Sequence, residues 1–557
     1  MGSDPLARLQ PALRESYQTV QRLAGLAEDF AGRGRMLEAV ACTQIAAHQA
    51  YVRHAGMFAS PRLERLLLRV GRAAVAPAVG PPPAPRAAGG ARPGRVLHVI
   101  SHARPIGGDT RFAWRWIQAD GGRRHSVAIT RQRDLPMPAS LADAVAGSGG
   151  TLSVLDRLTA DPIARARALR RLSRRADLVV CHLFPDDVVP LLAFAHRDGT
   201  PPVVLVNHAD HAFWLGAGVG DVVAHPREAG AVLAERRRGI ARARGALLPI
   251  PLPDAERACP AEEAKRRLGY ARDEVVLLSI ATAFKYRAIA GPSFLEAVLP
   301  VLLAEPRAVL LVVGPQPEGA WAEAARATGG RLRALGRRAD TGQFYDAADV
   351  YLDSFPFTSI TSCLEAGSRG IPVAAFSPHP EAAPILGPGA PGLRHVLQAE
   401  TLDAYRRLLG GLIGNAARRR AVGEATRDAI REAHGAAGWA GGLESVYRAA
   451  AAAGRAPEPA GSDGMDASPL DLLVHGLYAR QAVGLAETIE GFIRPLPYSA
   501  RLRALPRMLA LDRAFSFGMF LPRGLERLVE RRLKGWRALP GVAALLRSGR
   551  SAPAAAR

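Results

Sequence analysis

Beyond residue 95 the chain alternates short, almost wholly apolar runs with longer amphipathic stretches. The runs Val96–Ile100, Ser126–Thr130, Leu152–Leu155, Leu178–Cys181, Val203–Val206 and Asp221–Val223 are too short for buried helices, and helical spacing fills several of the gaps between them. A second series starts at Val275 and continues through Val309–Val313, Arg331–Leu335, Val350–Leu352 and Val373–Phe376. Strands that are apolar on both faces and separated by helices predict parallel sheets with helices on each side. The expected fold class is therefore α/β, with two tandem Rossmann-like domains joined near Pro249–Pro260 and a ligand cleft between their strand ends.

The flanks follow other rules. Leu37, Val40, Ala41, Ile45, Gln49 and Val52 fall at helical spacing, and Ser60-Pro61 is a capping pair before an apolar run, so residues 1–74 are expected to be a helical module. Residues 75–94 are a Pro/Gly/Ala linker, 95–255 the first sheet domain, 256–453 the second, 454–468 another linker, and 469–557 a basic helical extension.

The segment from Asp349 to Val373 predicts a strand, a hydroxyl-rich turn and a helix starting near Ser359–Ser362. Free backbone N–H groups and the positive end of the helix dipole would face the carboxyl edge of the sheet there, which suits a phosphate. Thr358, Ser359, Thr361 and Ser362 can donate to phosphate oxygens, and Glu365, about one turn further on, can accept from a diol. Lys285 and Arg287 lie just past the strand that begins at Val275, in a chain with three lysines (Lys265, Lys285, Lys534) against 70 arginines. An ammonium can sit between two phosphates without the planar demands of a guanidinium. Gly107-Gly108 follows the first strand of the first domain and permits close backbone approach. It is not G-x-G-x-x-G, so a dinucleotide-dependent dehydrogenase loses its main support.

Phe284-Lys285, together with Leu352-Asp353, Pro356, Thr361-Ser362, Glu365, Ala366-Gly367 and Pro372, resembles the donor half of GT-B glycosyltransferases, above all the O-linked N-acetylglucosamine transferase and SPINDLY-like family. The resemblance implies that Lys285, Thr361 and Ser362 hold the diphosphate of a nucleotide sugar and that Glu365 holds the ribose. It also implies an acceptor-side first domain whose Gly107, Gly108 and Asp109 face the donor. The broader group 1 glycosyltransferases are similar too, but their retaining members carry two glutamates eight positions apart, and this chain has Phe357 where the first would stand.

His208, Asp210 and His211 gather after the fifth strand. An imidazole there can take a proton from an acceptor hydroxyl near neutrality, so His208, Asp109 and Asp210 are the candidate catalytic groups, with His102 and His182 ranked below. Lys285, Arg287 and the hydroxyls would stabilise the leaving diphosphate without a metal, there being no D-x-D motif, and no cofactor is expected.

The net charge of +22 is uneven: from Gly491 to Arg557 there are 14 Lys or Arg and three acids. Such a tail is drawn to anionic surfaces, and Leu525, Leu528, Val529, Leu533 and Trp536 share a helical face within Leu521–Leu546. Peripheral contact with the inner membrane surface through this tail is one expectation, packing of that face on the catalytic domains another; no specific nucleic-acid partner is expected. Four scattered cysteines, no signal-peptide pattern and no long apolar stretch predict a cytoplasmic, bacterial-type protein. The function expected is transfer of a sugar from a nucleotide-diphosphate donor, a UDP-sugar by resemblance, to an unidentified protein, glycan or lipid. The alternatives are a non-catalytic scaffold that binds nucleotide or glycan, docked by its basic tail, and a nucleotide-sugar epimerase.

Overall fold

The computed structural model describes residues 5–76, 93–105, 107–252, 256–479 and 484–511. Seven parallel strands form the first sheet: β1 (Arg95–Ile100), β2 (Arg124–Ile129), β3 (Leu152–Val154), β4 (Leu178–His182), β5 (Val203–Val206), β6 (Val222–His225) and β7 (Gly245–Leu247), in the order β3-β2-β1-β4-β5-β6-β7. Six more form the second: β8 (Val275–Ile280), β9 (Ala308–Val313), β10 (Leu332–Ala334), β11 (Val350–Leu352), β12 (Val373–Phe376) and β13 (Leu397–Ala399), in the order β10-β9-β8-β11-β12-β13. Every apolar run expected to be a strand is one. The two that carried no signal, β7 and β13, are three-residue edge strands, Gly-Ala-Leu and Leu-Gln-Ala, too short to show a period.

Strand order reverses between β1 and β4 in one sheet and between β8 and β11 in the other. Loops leaving adjacent strands at such a point diverge and open a crevice at the carboxyl edge. The two crevices face each other, as the ion pair from Arg111, in the helix Gly108–Ala119 after β1, to Glu365, in the helix Ile360–Ser368 after β11, requires (2.6 Å).

The remaining segments pack across the boundaries that composition predicts. Helix Ala436–Ala452 ends the stretch expected as the second domain, yet its Trp439, Leu443, Val446 and Tyr447 pack on Val204, Val222 and Leu248 of the first. The amino-terminal helices Gln10–Gly32, Met36–Val52 and Pro61–Ala74 share one apolar core with the first sheet. Ser60 caps the last of them, accepting from the Leu63 N–H (3.1 Å). The stretch 454–468, expected as a linker, is tied down by Asp463, which accepts from the Ser60 hydroxyl (2.6 Å), and by the Asp466 N–H, which donates to the Gly56 carbonyl (2.9 Å). Helix Pro469–Ala479 then buries Leu472, Leu473, Val474 and Leu477 among Leu13, Phe58, Ile289, Phe357 and Leu386. The start of the expected extension is thus core of the body. Most of the linker 75–94 and the amphipathic run Leu521–Leu546 lie outside the described residues. Among the described residues no helix is long and apolar enough to cross a membrane.

Glu64 joins the helical module to the first sheet. Its buried carboxylate accepts from the backbone N–H groups of Gly216 (2.7 Å), Ala217 (3.0 Å) and Gly218 (2.7 Å). Truncation would leave three buried donors unpaired, each costing about 1–3 kcal/mol. Glu64→Ala is expected to lower the thermal midpoint by several degrees and Glu64→Gln by less; equal melting of Glu64→Ala and wild type would refute the role assigned to this carboxylate.

Candidate functional site

Lys285 lies in the turn Ala283–Tyr286 that follows β8. Its Nζ donates to the Thr358 carbonyl (2.7 Å) and stands 4.4 Å from the centre of the Phe357 ring. Burial pushes this ammonium down to about 8, against the opposing pull of Asp353. Asp353, at the end of β11, folds the next loop back on itself: it accepts from the Thr358 hydroxyl (2.6 Å) and the Ser359 N–H (2.9 Å). That loop presents the start of helix Ile360–Ser368, where the Ser359 and Ser362 hydroxyls are 3.1 Å apart. Lys285, Thr358, Ser359 and Thr361 line one cavity of about 360 Å³, within the usual range for small-molecule sites.

Other residues expected at the donor take different places. Glu365, expected to hold a ribose, is engaged by Arg111 and lies 3.4 Å from the Tyr345 hydroxyl. Ser362, Arg287 and Gly107 stand outside the cavity lining, whereas Gly108 is in it, with open space where a side chain would project.

The facing wall comes from the first domain. Asp109 opens helix Gly108–Ala119 and pairs with Arg104 (3.4 Å). His208 lies two residues past β5, packed edge-on against Phe112, with Nε2 3.0 Å from His182 Nδ1. Burial pushes the His208 imidazole down to about 4, with Asp109 opposing. Asp210 does not present a free carboxylate. Burial pushes its carboxyl up, but Arg227 outweighs this and holds it well below the ordinary range, through Nε to Oδ2 (2.5 Å) and Nη2 to Oδ1 (2.9 Å). The same guanidinium donates to the carbonyls of Ile385 (2.6 Å) and Gly387 (3.1 Å) in the second domain. Asp210 therefore orients the cation that holds the two units together, rather than serving as the base expected from sequence. His102 packs on Phe184 and takes no part in the His208 contacts.

Sequence reasoning missed much of the lining. Arg104, Arg111, Arg115 and Arg227 join Lys285 around the cavity, and the two lining carboxylates, Asp109 and Asp210, are already paired with Arg104 and Arg227. The cavity is thus electropositive. In a chain with 70 arginines, nothing in local sequence marks these four. Tyr51 of the amino-terminal module and Tyr478 of helix Pro469–Ala479 also line it, and the Tyr478 hydroxyl is 2.7 Å from His211 Nε2. Neither carries a sequence signal, because each reaches the cavity from a flank. Among the described residues no group of His, Cys, Asp or Glu is arranged to hold a metal ion.

The fold is similar to that of a variant of the Thermobaculum terrenum O-GlcNAc transferase (20% identity over 79% of this chain and 82% of that one, TM-score 0.45). It is also similar to Anabaena HepE in complex with UDP-glucose (13% identity, 63% and 99%, TM-score 0.45) and to a glycosyltransferase from Rickettsia africae (9% identity, 64% and 99%, TM-score 0.47). No protein-family model and no curated protein matches the chain. Two parallel Rossmann-like sheets facing each other across a cleft, with helical segments at both ends, are the GT-B architecture expected from the sequence.

Half-buried His208 and, behind it, the buried His182 and His98 have their imidazoles pushed down from the ordinary value of 6.5. They are neutral in the folded chain but protonate in the unfolded one below about pH 6.5, so stability is lost as pH falls through that value, by about 1.4 kcal/mol per unit for each group. The thermal midpoint is expected to fall between pH 6.5 and 5, above the range where carboxylates titrate. A flat profile over that interval would show that these imidazoles are not held neutral.

Proposed function

We propose that this protein is a glycosyltransferase that takes a sugar from a nucleoside-diphosphate donor and passes it to an acceptor hydroxyl. The observation that carries the reading is the convergence of Lys285 and the polar start of helix Ile360–Ser368 on one electropositive cavity that His208 and Asp109 face from the other domain. Breaking the bond from the anomeric carbon to the diphosphate builds negative charge on the leaving group and positive charge on the ring. Lys285, Thr361 and the N–H groups of the helix start would meet the leaving diphosphate, supplying the neutralisation that a divalent ion supplies elsewhere. His208, neutral at physiological pH, would take the acceptor's proton from the opposite side of the sugar, which gives inversion. A uridine donor rests on the sequence resemblance; the acceptor is a hydroxyl of a protein, glycan or lipid. The cytoplasm and, through the basic carboxy-terminal residues, the inner membrane surface are the proposed setting.

The test is binding and turnover with a panel of nucleotide sugars. A nucleoside diphosphate should raise the melting temperature, because a ligand of the native state stabilises it. Lys285→Ala should weaken that binding roughly 10- to 100-fold, the worth of a charge-assisted contact of about 1.5–3 kcal/mol, and abolish measurable donor hydrolysis. Binding lost in Lys285→Ala but no turnover with any donor would favour the non-catalytic scaffold; binding indifferent to Lys285 would overturn the donor site itself.

The pH dependence has a definite sign. Diphosphate needs the protonated ammonium, which burial leaves charged only up to about pH 8. Calorimetric affinity for UDP should therefore fall as pH rises above 8, by at most tenfold per unit, and Lys285→Arg should flatten that slope. A wild-type affinity constant from pH 7 to 9.5 would contradict it.

A further inference from the structure

The His208 imidazole is the outer end of a row of four. His208 Nε2 is 3.0 Å from His182 Nδ1, His182 Nε2 is 3.0 Å from His98 Nδ1, and His98 Nε2 is 3.0 Å from His125 Nδ1. The inner end meets Asp120: His125 Nε2 is 3.2 Å from its carbonyl and 3.3 Å from its carboxylate Oδ2. The row follows from strand register. β2, β1, β4 and β5 are neighbours, and His125 pairs with Val96, two residues before His98; His98 lies two residues before Ile100, which pairs with His182. The β4–β5 ladder pairs Cys181 with Leu205, so one step further His182 lies level with Val206, two residues before His208. Side chains two apart share a face, so the four imidazoles cross the sheet diagonally. All but His208 are buried, walled by Phe112 and Trp116.

We propose that this row is a proton relay that carries the acceptor's proton from His208 to the His125–Asp120 pair, a proposal that rests on the transferase reading. Asp120 offers only acceptors, so His125 Nε2 carries its proton and its Nδ1 accepts. With one proton on each neutral ring, every Nε2 along the row donates to the next Nδ1. The lone pair left over is His208 Nδ1. A proton taken there from the acceptor hydroxyl lets the Nε2 proton pass to His182 Nδ1, the His182 Nε2 proton to His98 Nδ1, and the His98 Nε2 proton to His125 Nδ1. His208, His182 and His98 end neutral in the opposite tautomer. The one positive charge comes to rest on His125 against the Asp120 carboxylate, and the acceptor oxygen keeps its electron pair for the anomeric carbon.

The relay answers a difficulty in the site. A lone imidazole whose affinity for a proton is lowered as that of His208 is would be a weak base at neutrality. The relay removes the charge from His208 and from His98 and His182, which burial holds neutral, to the position beside a carboxylate. Among the described residues, the charged and titratable groups at the inner end are Asp120, the Arg123 that pairs with it and with Glu444 (3.1 Å), and the Tyr447 hydroxyl bonded to Asp120. At the outer end Asp109 acts on His208, and Arg104, Arg111, Arg115, Lys285 and the Asp210–Arg227 pair line the same cavity. Tyr447 also accepts from the Trp116 indole (3.0 Å), which locks the inner end to the wall of the row.

The first test is a ¹⁵N-histidine titration of the full chain. The neutral protein should show His208 as the Nε2–H tautomer, and one proton taken up should change His208, His182, His98 and His125 at one midpoint. Independent midpoints would overturn the relay whatever the enzyme does. The second test is His98→Leu, which cuts the row while leaving the cavity wall in place. It should lower kcat roughly a hundredfold, leave donor KM and UDP affinity unchanged, and move the acid limb of the kcat profile to lower pH; Asp120→Asn should move it the same way. A fall in kcat with an unmoved acid limb would mark a merely structural row and refute the relay. Shared titration in a protein that transfers no sugar would sustain the linked row and refute the transferase reading instead.

Discussion

The site depends on one guanidinium. Arg227 sits at the carboxyl edge of the first sheet, where it clamps Asp210 through two bonds and donates onward to the carbonyls of Ile385 and Gly387 in the second domain. Carbonyls have fixed positions, and a guanidinium has a rigid fork, so the contact sets the distance between two domains that share no strand. With that distance fixed, Lys285 and His208 face the same cavity. Arg111 to Glu365 adds a second tie across the cleft, more exposed and correspondingly more dependent on solvent and salt.

Closing the two edges together has an electrostatic consequence. Water is removed from both walls at once, which lowers the affinity of Lys285 and of His208 for a proton. An ammonium poised near 8 releases most stabilisation when a diphosphate arrives to satisfy it. An imidazole at about 4 is instead deprived of its usual strength as a base. The two effects have one cause, and they make opposite demands: the cationic wall waits for an anion, while the histidine wall must export a charge. The row of imidazoles inward from His208 supplies a route for that export.

The flanking segments complete the cavity. The amino-terminal helices bring Tyr51, and the strap 454–468 leads to helix Pro469–Ala479 and Tyr478; the two rings lie 5.6 Å apart at the cavity wall. Asp463 and Glu64 join these pieces to each other and to the first sheet through bonds to backbone N–H groups, where a lost partner is costly. The cleft is therefore a product of four parts of the chain, and the flanks are structural components of the site.

Much of this was legible along the chain. Two series of apolar runs at strand length, a rare lysine past β8 and a hydroxyl-rich helix start after β11 all rest on local pattern, because parallel strands buried on both faces and helix starts that bind anions impose that pattern on neighbouring residues. Pairings between distant residues leave no such mark. That Asp210 belongs to Arg227 and Glu365 to Arg111, that helix Ala436–Ala452 crosses back to the first sheet, and that Tyr478 reaches His211 were all decided by the packing of segments far apart in sequence. The four histidines show the division most plainly. His208 and His182 stood out in the sequence at strand ends and His98 and His125 did not; the four form a row only because β2, β1, β4 and β5 lie side by side with a two-residue step at each junction, and strand order and register exist only in the folded sheet.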